Sequence, residues 1–171
     1  LLDKGIGGLR SDLQEKLKEQ PDNNFYKAGI QCLDIFVDCA SHLQQDAREQ
    51  MASANMKRQK ELERICQALE NIKEKKPGTF HEAMQLFWLF ALLAGVINYG
   101  RLDDYLGPYL VADLKSGRLT DEEAYRYIHS LWTMIENRRT TVNGRIIVGG
   151  KGRKHPKEAD VFLHIAMKVA K

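Results

Sequence analysis

The sequence predicts a mainly α-helical protein on the basis of three observations. Apolar residues recur at helical spacing through most of the chain, beginning with the leucines in 9–17. Capping boxes that begin at Thr79 and Thr120 mark the starts of two further helices. A single stretch, 142–150, combines consecutive β-branched residues with glycines and therefore predicts one strand.

Residues 1–76 are predicted to form a helical region with three helices. The leucine stripe lies in the first, and the polar turn at 21–24 ends it. The second helix covers about 25–47, with Gln44 facing outward, and the highly charged third helix covers about 55–75. The predicted buried stripe of the second helix consists of Phe25, Gly29, Cys32, Leu33, Phe36, Cys39, Ala40, Leu43 and Ala47.

Residues 77–171 are predicted to hold an apolar helix, further helices and the strand. The run 86–97 contains no polar residue, and it is shorter than the ~20 residues that a bilayer span requires. We therefore expect a helix that protein surrounds on every side, and no membrane span. Further helices are expected at 103–115, with an interruption at 107–108, and from Pro156 onward.

Charge and composition argue against several classes of function. With 26 Lys+Arg against 23 Asp+Glu, a net charge of +3 and no basic stripe, we expect no nucleic-acid partner. The histidines and cysteines lack the spacing of metal ligands, so no metal site is predicted.

Sparse cysteines and the absence of a visible secretory signal indicate the cytoplasm. Cys32 and Cys39 are predicted to pack in the core. The chain offers no complete catalytic constellation, so no catalytic residue is assigned.

The two ends of the sequence also suggest a larger protein. The chain begins at Leu1 without a methionine, and it closes at Lys171 inside an apolar periodic run with no stop signal. A chain of 171 residues has little surface with which to cover an apolar helix and its neighbours. We therefore expect a piece of a longer protein.

Polar residues follow directly after the apolar run. Asn98 and Tyr99 come first, at the mouth of a segment predicted to be buried, where a polar group needs a partner in protein or ligand. Arg101 is predicted to form an ion pair with Asp103 or Asp104, with an aspartate capping the next helix, and Arg101 and Asp103 are the residues predicted to brace the turn. The glycine run 149–152 lacks the spacing of a phosphate-binding loop and predicts a tight turn.

Four stretches carry a resemblance to a known family. They occur in consistent order and are followed by the IIVGG strand: LLDKGIGGLRSDLQEKL at 1–17, PGTFHEAMQLFWLFALL at 77–93, GRLDDYLGPYL at 100–110 and DLKSGRLTDEEAYRYIHSLW at 113–132. Each motif is moderately specific, and together they span nearly the whole chain. On these residues the sequence resembles the pyruvate formate-lyase family of glycyl radical enzymes.

The resemblance implies a helix-rich piece of a ten-stranded α/β barrel, with 1–171 as an incomplete domain. In that family a radical-SAM activating enzyme installs a glycyl radical, which oxidises a cysteine to a thiyl radical that attacks a small-molecule substrate. A homo-oligomer is implied as well. The RVxGY loop and the cysteine loop of the family are absent from this sequence, and Cys32, Cys39 and Cys66 lie in no matching context. No bound cofactor and no activity are therefore expected for this chain alone.

The resemblance also concerns the substrate. In diol-cleaving relatives a His-Ser pair just before the GRxD motif faces the substrate, and a gap-free alignment puts Gly95 and Val96 at those positions. Gly95, Val96 and Asn98 are therefore the substrate-facing candidates, and the loss of two polar side chains argues against a glycerol-like substrate. The rival hypothesis is a stand-alone helical interaction module without catalysis, which would lack the cysteine and RVxGY loops downstream.

Overall fold

The computed structural model describes residues 1–139 and 144–170, and within them the chain is mainly helical, as predicted. Residues 142–143, in the stretch predicted as a strand, and Lys171 lie outside the described residues. In chain order the described elements are α1 Gly5–Glu19, α2 Asn24–Met51, α3 Met56–Glu74, α4 Phe80–Leu93, β1 Asn98–Arg101, α5 Leu102–Lys115, α6 Asp121–Asn137, β2 Arg145–Ile147 and α7 Pro156–Val169.

The chain divides into two compact units. The first unit comprises Leu1–Pro77 and Gln85–Phe90, and the second comprises Gly78–Met84 and Ala91–Lys171. Helix α4 therefore contributes residues to both. The domain division at 76 and 77 made from the sequence stays a prediction.

The first unit is built from α1, α2 and α3 around an apolar core. Burying such side chains is the main favourable term in folding, at roughly 25 cal/mol per Å² of apolar surface. Gly7 brings α1 close to α3, since a Cβ at this position would lie 2.1 Å from the carbonyl oxygen of Glu74. The buried core residues are Ile6, Leu33, Ala40, Leu69, Ile72, Leu86 and Leu89.

Gln44 is a buried polar residue in this unit, and its predicted outward orientation is wrong. Its Nε2 donates to the carbonyl oxygen of Cys66 at 2.9 Å, and its Oε1 accepts from Lys73 Nζ at 2.8 Å. Both ends of the amide are satisfied, as a buried polar group requires. Lys73 also donates to Glu70, and this hydrogen bond lowers the pKa of the Glu70 carboxyl.

Part of the predicted buried stripe of α2 is exposed. Phe25 is 77% exposed, and Leu43 and Cys32 are exposed as well, so core packing of Cys32 is wrong. Leu33, Ala40 and Ala47 do lie in the core. The difference arises because the described residues cover only one side of α2, and the apolar pattern is wider than that side.

The second unit begins with a capped helix and closes around aromatic residues. The Thr79 hydroxyl accepts from the Glu82 N–H at 3.2 Å at the start of α4, and a complete capping box at Thr120 starts α6. The Phe162 ring is fully buried, with its centroid 6.4 Å from that of Phe80 and 6.4 Å from that of Trp132, both edge to face.

Helix α5 runs through Pro108 without the predicted interruption. The proline leaves the carbonyl four residues earlier without its helical donor, at a cost of roughly 3 kcal/mol. Packing against α7 offsets this cost, because Gly107 allows close approach: a Cβ there would lie 2.8 Å from the Glu158 carbonyl oxygen. The fully buried side chains of Leu106 and Leu110 anchor the same helix.

The two strands form a parallel pair, and β1 was not predicted. The register matches Asn98 with Arg145 and Gly100 with Ile146, with an irregularity between Asn98 and Gly100 that leaves Tyr99 as an extra residue. This is the geometry of a β-bulge. Strand β2 occurs within the predicted stretch 142–150.

The C-terminal part of the apolar run is exposed in this chain, and the helix ends before the run does. Helix α4 ends at Leu93, and Phe90, Leu92, Leu93 and Ile97 are each at least 40% exposed. Leu86 and Leu89 are buried as expected. Among the described residues, no helix combines the length and the apolar character needed to cross a bilayer.

Candidate functional site

The segment that follows α4 turns sharply at Gly95. The Val96 N–H donates to the Ala91 carbonyl oxygen at 3.0 Å, and the Gly95 N–H donates to that of Leu92 at 3.3 Å. Together with the positive φ of Gly95, 63°, these two bonds form a Schellman motif that ends the helix. Gly95 is therefore explained by backbone conformation, and among the substrate-facing candidates only Val96 and Asn98 offer a side chain.

Arg138, at the C-cap of α6, holds this turn from the side. Its Nη1 donates to the Val96 carbonyl oxygen at 2.6 Å, the Tyr99 hydroxyl at 3.0 Å and the Ala91 carbonyl oxygen at 3.3 Å. One guanidinium nitrogen carries two hydrogens, so the three acceptors share them and the shortest contact dominates. Charge-assisted bonds of this kind are roughly twice as strong as neutral ones.

Tyr99 is fixed on several sides. It is buried, and its carbonyl oxygen accepts from the Tyr105 hydroxyl at 2.8 Å. Gly144 lies against the ring, since a Cβ at that position would be 2.6 Å from Tyr99 Cε2. Burial raises the pKa of the Tyr105 hydroxyl, so it stays a donor at neutral pH.

Asn98 lies at the start of β1, and its side chain is exposed, not enclosed in a pocket. Its Oδ1 accepts from the Gly100 N–H at 3.3 Å. The adjacent Ile97 carbonyl oxygen accepts from the Arg145 N–H at 3.0 Å and begins the pairing with β2. Gly95, Val96 and Asn98 therefore lie along one connected segment, 95–98, ahead of β1, and their orientation toward a substrate stays a prediction.

Asp103 lies just beyond the other end of β1 and is fully buried at 0% exposure. Its Oδ2 accepts from the Gly149 N–H at 2.6 Å and lies 3.7 Å from Arg153 Nη1. The predicted cap of its own helix is wrong, because Arg101 occupies the N-cap position of α5 and makes no side-chain cap bond. The predicted partner is also different, since the ion pair of Asp103 is formed with Arg153.

Two buried atoms near this end of β1 have no hydrogen-bond partner among the described residues, Asp103 Oδ1 and Arg101 Nη1. An unmet charged group of this kind costs free energy unless water, a ligand or another segment of protein satisfies it. Asp103 Oδ1 is an acceptor and Arg101 Nη1 is a donor.

The adjacent Asp104 holds the far end of the glycine-rich loop. Its Oδ1 accepts from the His155 N–H at 3.0 Å, and this hydrogen bond lowers the pKa of the Asp104 carboxyl. Asp103 and Asp104 thus bind the two ends of 149–155. Three glycines allow this path, since Gly149, Gly150 and Gly152 all have positive φ. The predicted tight turn is present, and the Gly149 N–H is bonded to a carboxylate.

A family model described as pyruvate formate lyase-like matches residues 1–171. The chain belongs to the pyruvate formate-lyase family of glycyl radical enzymes. It is 26% identical over 149 residues to an isethionate sulfite-lyase of Oleidesulfovibrio alaskensis, covering 77% of this chain and 18% of that protein. It is 27% identical over 154 residues to a trans-4-hydroxy-L-proline dehydratase of Clostridioides difficile, covering 78% of this chain and 19% of that protein.

The fold agrees with this membership. The crystal structure of a glycyl radical enzyme from Archaeoglobus fulgidus superposes with a TM-score of 0.81 at 20% identity, covering all of this chain and 26% of that one. The chain therefore has the fold of a helix-rich part of these enzymes, as predicted. It spans less than a fifth of the length of the two curated relatives.

Among the described residues, no three potential metal-ligating side chains converge.

The sequence analysis missed Arg138 and Asp113. Asp113 is buried, and its Oδ2 accepts from the Phe80 N–H at 2.8 Å while its Oδ1 binds Arg118 at 2.8 Å. In the sequence each is one charged residue near the end of an amphipathic helix, which is the ordinary place for a solvated side chain. The available signal was weak, because Arg138 binds mainly backbone oxygens distant in sequence and Asp113 binds a backbone N–H 33 residues away.

Proposed function

We propose that this chain is part of a glycyl radical lyase or dehydratase that cleaves a small-molecule substrate by a thiyl-radical mechanism. The observation that carries the proposal is the family match over residues 1–171, together with relatives that are named as a sulfite-lyase and a dehydratase. The chain spans less than a fifth of those relatives. In this proposal the radical glycine and the cysteine are supplied by residues beyond this chain, and the chain alone is inert.

In the proposed reaction this part of the protein has to orient the substrate and exclude water, and it does not have to carry the radical. The thiyl sulfur takes a hydrogen atom from a substrate carbon, so an S–H bond forms, a C–H bond breaks and the unpaired electron moves to the substrate. The surrounding protein then orients the substrate radical and keeps water away from it. A radical-SAM activating enzyme is the partner that installs the glycyl radical.

The segment 95–98 is proposed to form part of the substrate cavity. Val96 and Asn98 provide its side chains, and the backbone conformation of Gly95 directs the chain between α4 and β1. This wall offers one apolar group and one amide instead of two polar groups. We therefore propose a substrate other than a glycerol-like diol held in the manner of the diol-cleaving relatives.

The exposed apolar side chains support assembly with further protein. Phe90, Leu92, Leu93 and Ile97 lie near one another in sequence and are all exposed. In the proposed enzyme the remaining barrel covers them, and the assembled protein is a cytoplasmic homo-oligomer. The isolated chain is expected to self-associate, and a stable monomer by light scattering would contradict this.

The decisive test uses the complete gene product. It is expressed anaerobically with a radical-SAM activating enzyme, and the glycine-centred radical is sought by electron paramagnetic resonance. A doublet that disappears on exposure to air is expected. A reading frame that stops near residue 171, or a longer protein without cysteine and RVxGY loops, would support the non-catalytic module instead.

The substrate wall has a test of its own in the activated protein. The Val96→Ser variant restores one hydroxyl at a position with ordinary backbone geometry, and it is expected to raise turnover of vicinal diols relative to wild type. Val161→Ser is the matched control on the exposed face of α7. Equal diol turnover in wild type and both variants would remove residue 96 from the cavity.

A further inference from the structure

We propose that Arg138 is a positioning residue. It holds the segment 95–98, which was proposed above to face the substrate, in one position between the end of α4 and β1. The inference rests on the function proposed above for its effect on turnover, and on geometry alone for its effect on the segment. Arg138 is the C-cap residue of α6, whereas its acceptors belong to the end of α4, the turn and β1. One side chain thus joins three consecutive parts of the chain.

The position of the acceptors makes this role specific. The Ala91 carbonyl accepts the Schellman bond from Val96, so Arg138 binds the same oxygen that closes the turn. The Val96 carbonyl lies on the candidate segment itself and makes the shortest contact, at 2.6 Å. The Tyr99 hydroxyl ties the bulged residue of β1 to the same nitrogen, at 3.0 Å.

Arg138 restrains Val96 in addition to the backbone bonds of the turn. The Tyr105 hydroxyl and Gly144 also hold Tyr99, the next acceptor of Arg138. The Schellman bonds fix Gly95 and the Val96 N–H, but the Val96 carbonyl is bound by Arg138.

The first test needs no activity. In the non-activated full-length protein, amide hydrogen exchange is measured for peptides covering 94–99 in wild type, Arg138→Gln, Arg138→Lys and Arg139→Gln. Arg139 is the matched control, because it is the next residue, carries the same charge and is exposed. We expect exchange in 94–99 to rise at least tenfold in Arg138→Gln, with Arg139→Gln unchanged and Arg138→Lys between them.

The second test follows turnover after activation. Arg138→Gln is expected to raise KM about tenfold while the yield of glycyl radical and the melting temperature of the protein stay at wild-type levels. A protein that was merely destabilised would lose radical yield and melting temperature together. Arg138→Lys should recover part of the KM change, because it keeps a charged donor.

The outcomes separate the two proposals. Unchanged exchange in 94–99 for Arg138→Gln overturns the positioning role, whatever the turnover. Faster exchange with unchanged KM also overturns it, because the segment then moves without affecting substrate. Absence of a glycyl radical in the wild-type protein refutes the proposed function, and the exchange measurement still decides whether Arg138 fixes the segment.

Discussion

The two units bury their polar groups in different ways. In the first unit, the buried Gln44 amide uses both of its ends within the unit, and the rest of the core is apolar. In the second unit, Asp113 is satisfied while Asp103 retains one buried oxygen without a partner among the described residues. The second unit also contains both described strands and most of the glycines with positive φ.

The difference favours the second unit as the place of the proposed site. A helical unit whose buried polar groups are all hydrogen-bonded needs little beyond the right apolar periodicity. Many different sequences can therefore form such a core. A unit with buried charge, left-handed glycines and a bulged strand is costly to build, so such features are expected where function requires them. The candidate segment 95–98 lies in that second unit.

The largest expected effect is on the aromatic core of the second unit. Phe162→Ala removes a fully buried ring between Phe80 and Trp132 and should lower the free energy of unfolding by about 3–5 kcal/mol. Val161→Ala, next to it and 39% exposed, should cost less than about 1 kcal/mol. Chemical denaturation measures both, and equal costs would contradict the packing of α7.

The buried polar groups of the two units can be compared directly. Asp113→Ala leaves the Phe80 N–H without an acceptor at the start of α4, and should cost about 3 kcal/mol. Gln44→Ala removes two bonds from an otherwise apolar interface and should cost about 1–2 kcal/mol, because Lys73 keeps Glu70 as a partner. A larger cost for Gln44→Ala in denaturation would reverse the comparison.

Two neighbouring glycines of α1, Gly7 and Gly8, allow a controlled test of the close packing between α1 and α3. Gly7→Ala places a Cβ against the Glu74 backbone and should cost about 2 kcal/mol, despite the better helix propensity of alanine. At Gly8 the nearest atom to the new Cβ is the Lys4 Cβ at 3.1 Å, on an exposed side chain, so Gly8→Ala should change stability by less than about 1 kcal/mol. Thermal unfolding of both variants tests this, and equal melting temperatures would mean that α1 and α3 lie farther apart.

The smallest expected effect is a pH dependence that each unit shows through one surface carboxyl. The His155 N–H lowers the pKa of Asp104, and Lys73 lowers that of Glu70. A lowered folded pKa contributes stability above the unfolded pKa of about 4, and this contribution is lost as pH falls through the folded pKa. Asp104→Asn and Glu70→Gln should each flatten the stability curve below about pH 4, and an unchanged acid limb in denaturation would exclude that carboxyl as a source.

Much of the helical framework follows from the sequence, because periodicity and caps are local signals. The capping box at Thr120 forms as predicted, and α7 begins at Pro156. The continuity of α5 could not be predicted, since it depends on the contact of Gly107 with α7. Strand β1 was missed because the sequence NYGR has no β-branched run, and pairing with β2 decides its conformation.

The substrate-facing role of 95–98 stays a prediction. The segment 95–98 was selected through family resemblance, and the glycine at its start has a structural explanation in the Schellman turn. Asp103 was expected to cap its own helix, but its carboxylate binds Gly149, which is 46 residues away in sequence. Spacing along a chain cannot reveal such a pairing, because it arises only when parallel strands end side by side.

The extra residue at Tyr99 has a consequence for comparing this chain with its relatives. Side chains of a strand alternate between two faces, so an inserted residue exchanges the faces of everything on one side of it. Removing Tyr99 would therefore turn Asn98 toward the opposite face of β1 relative to Gly100 and Arg101. For this stretch, the number of residues determines which side chains share a face of the strand, and alignments that shift by one position assign those faces differently.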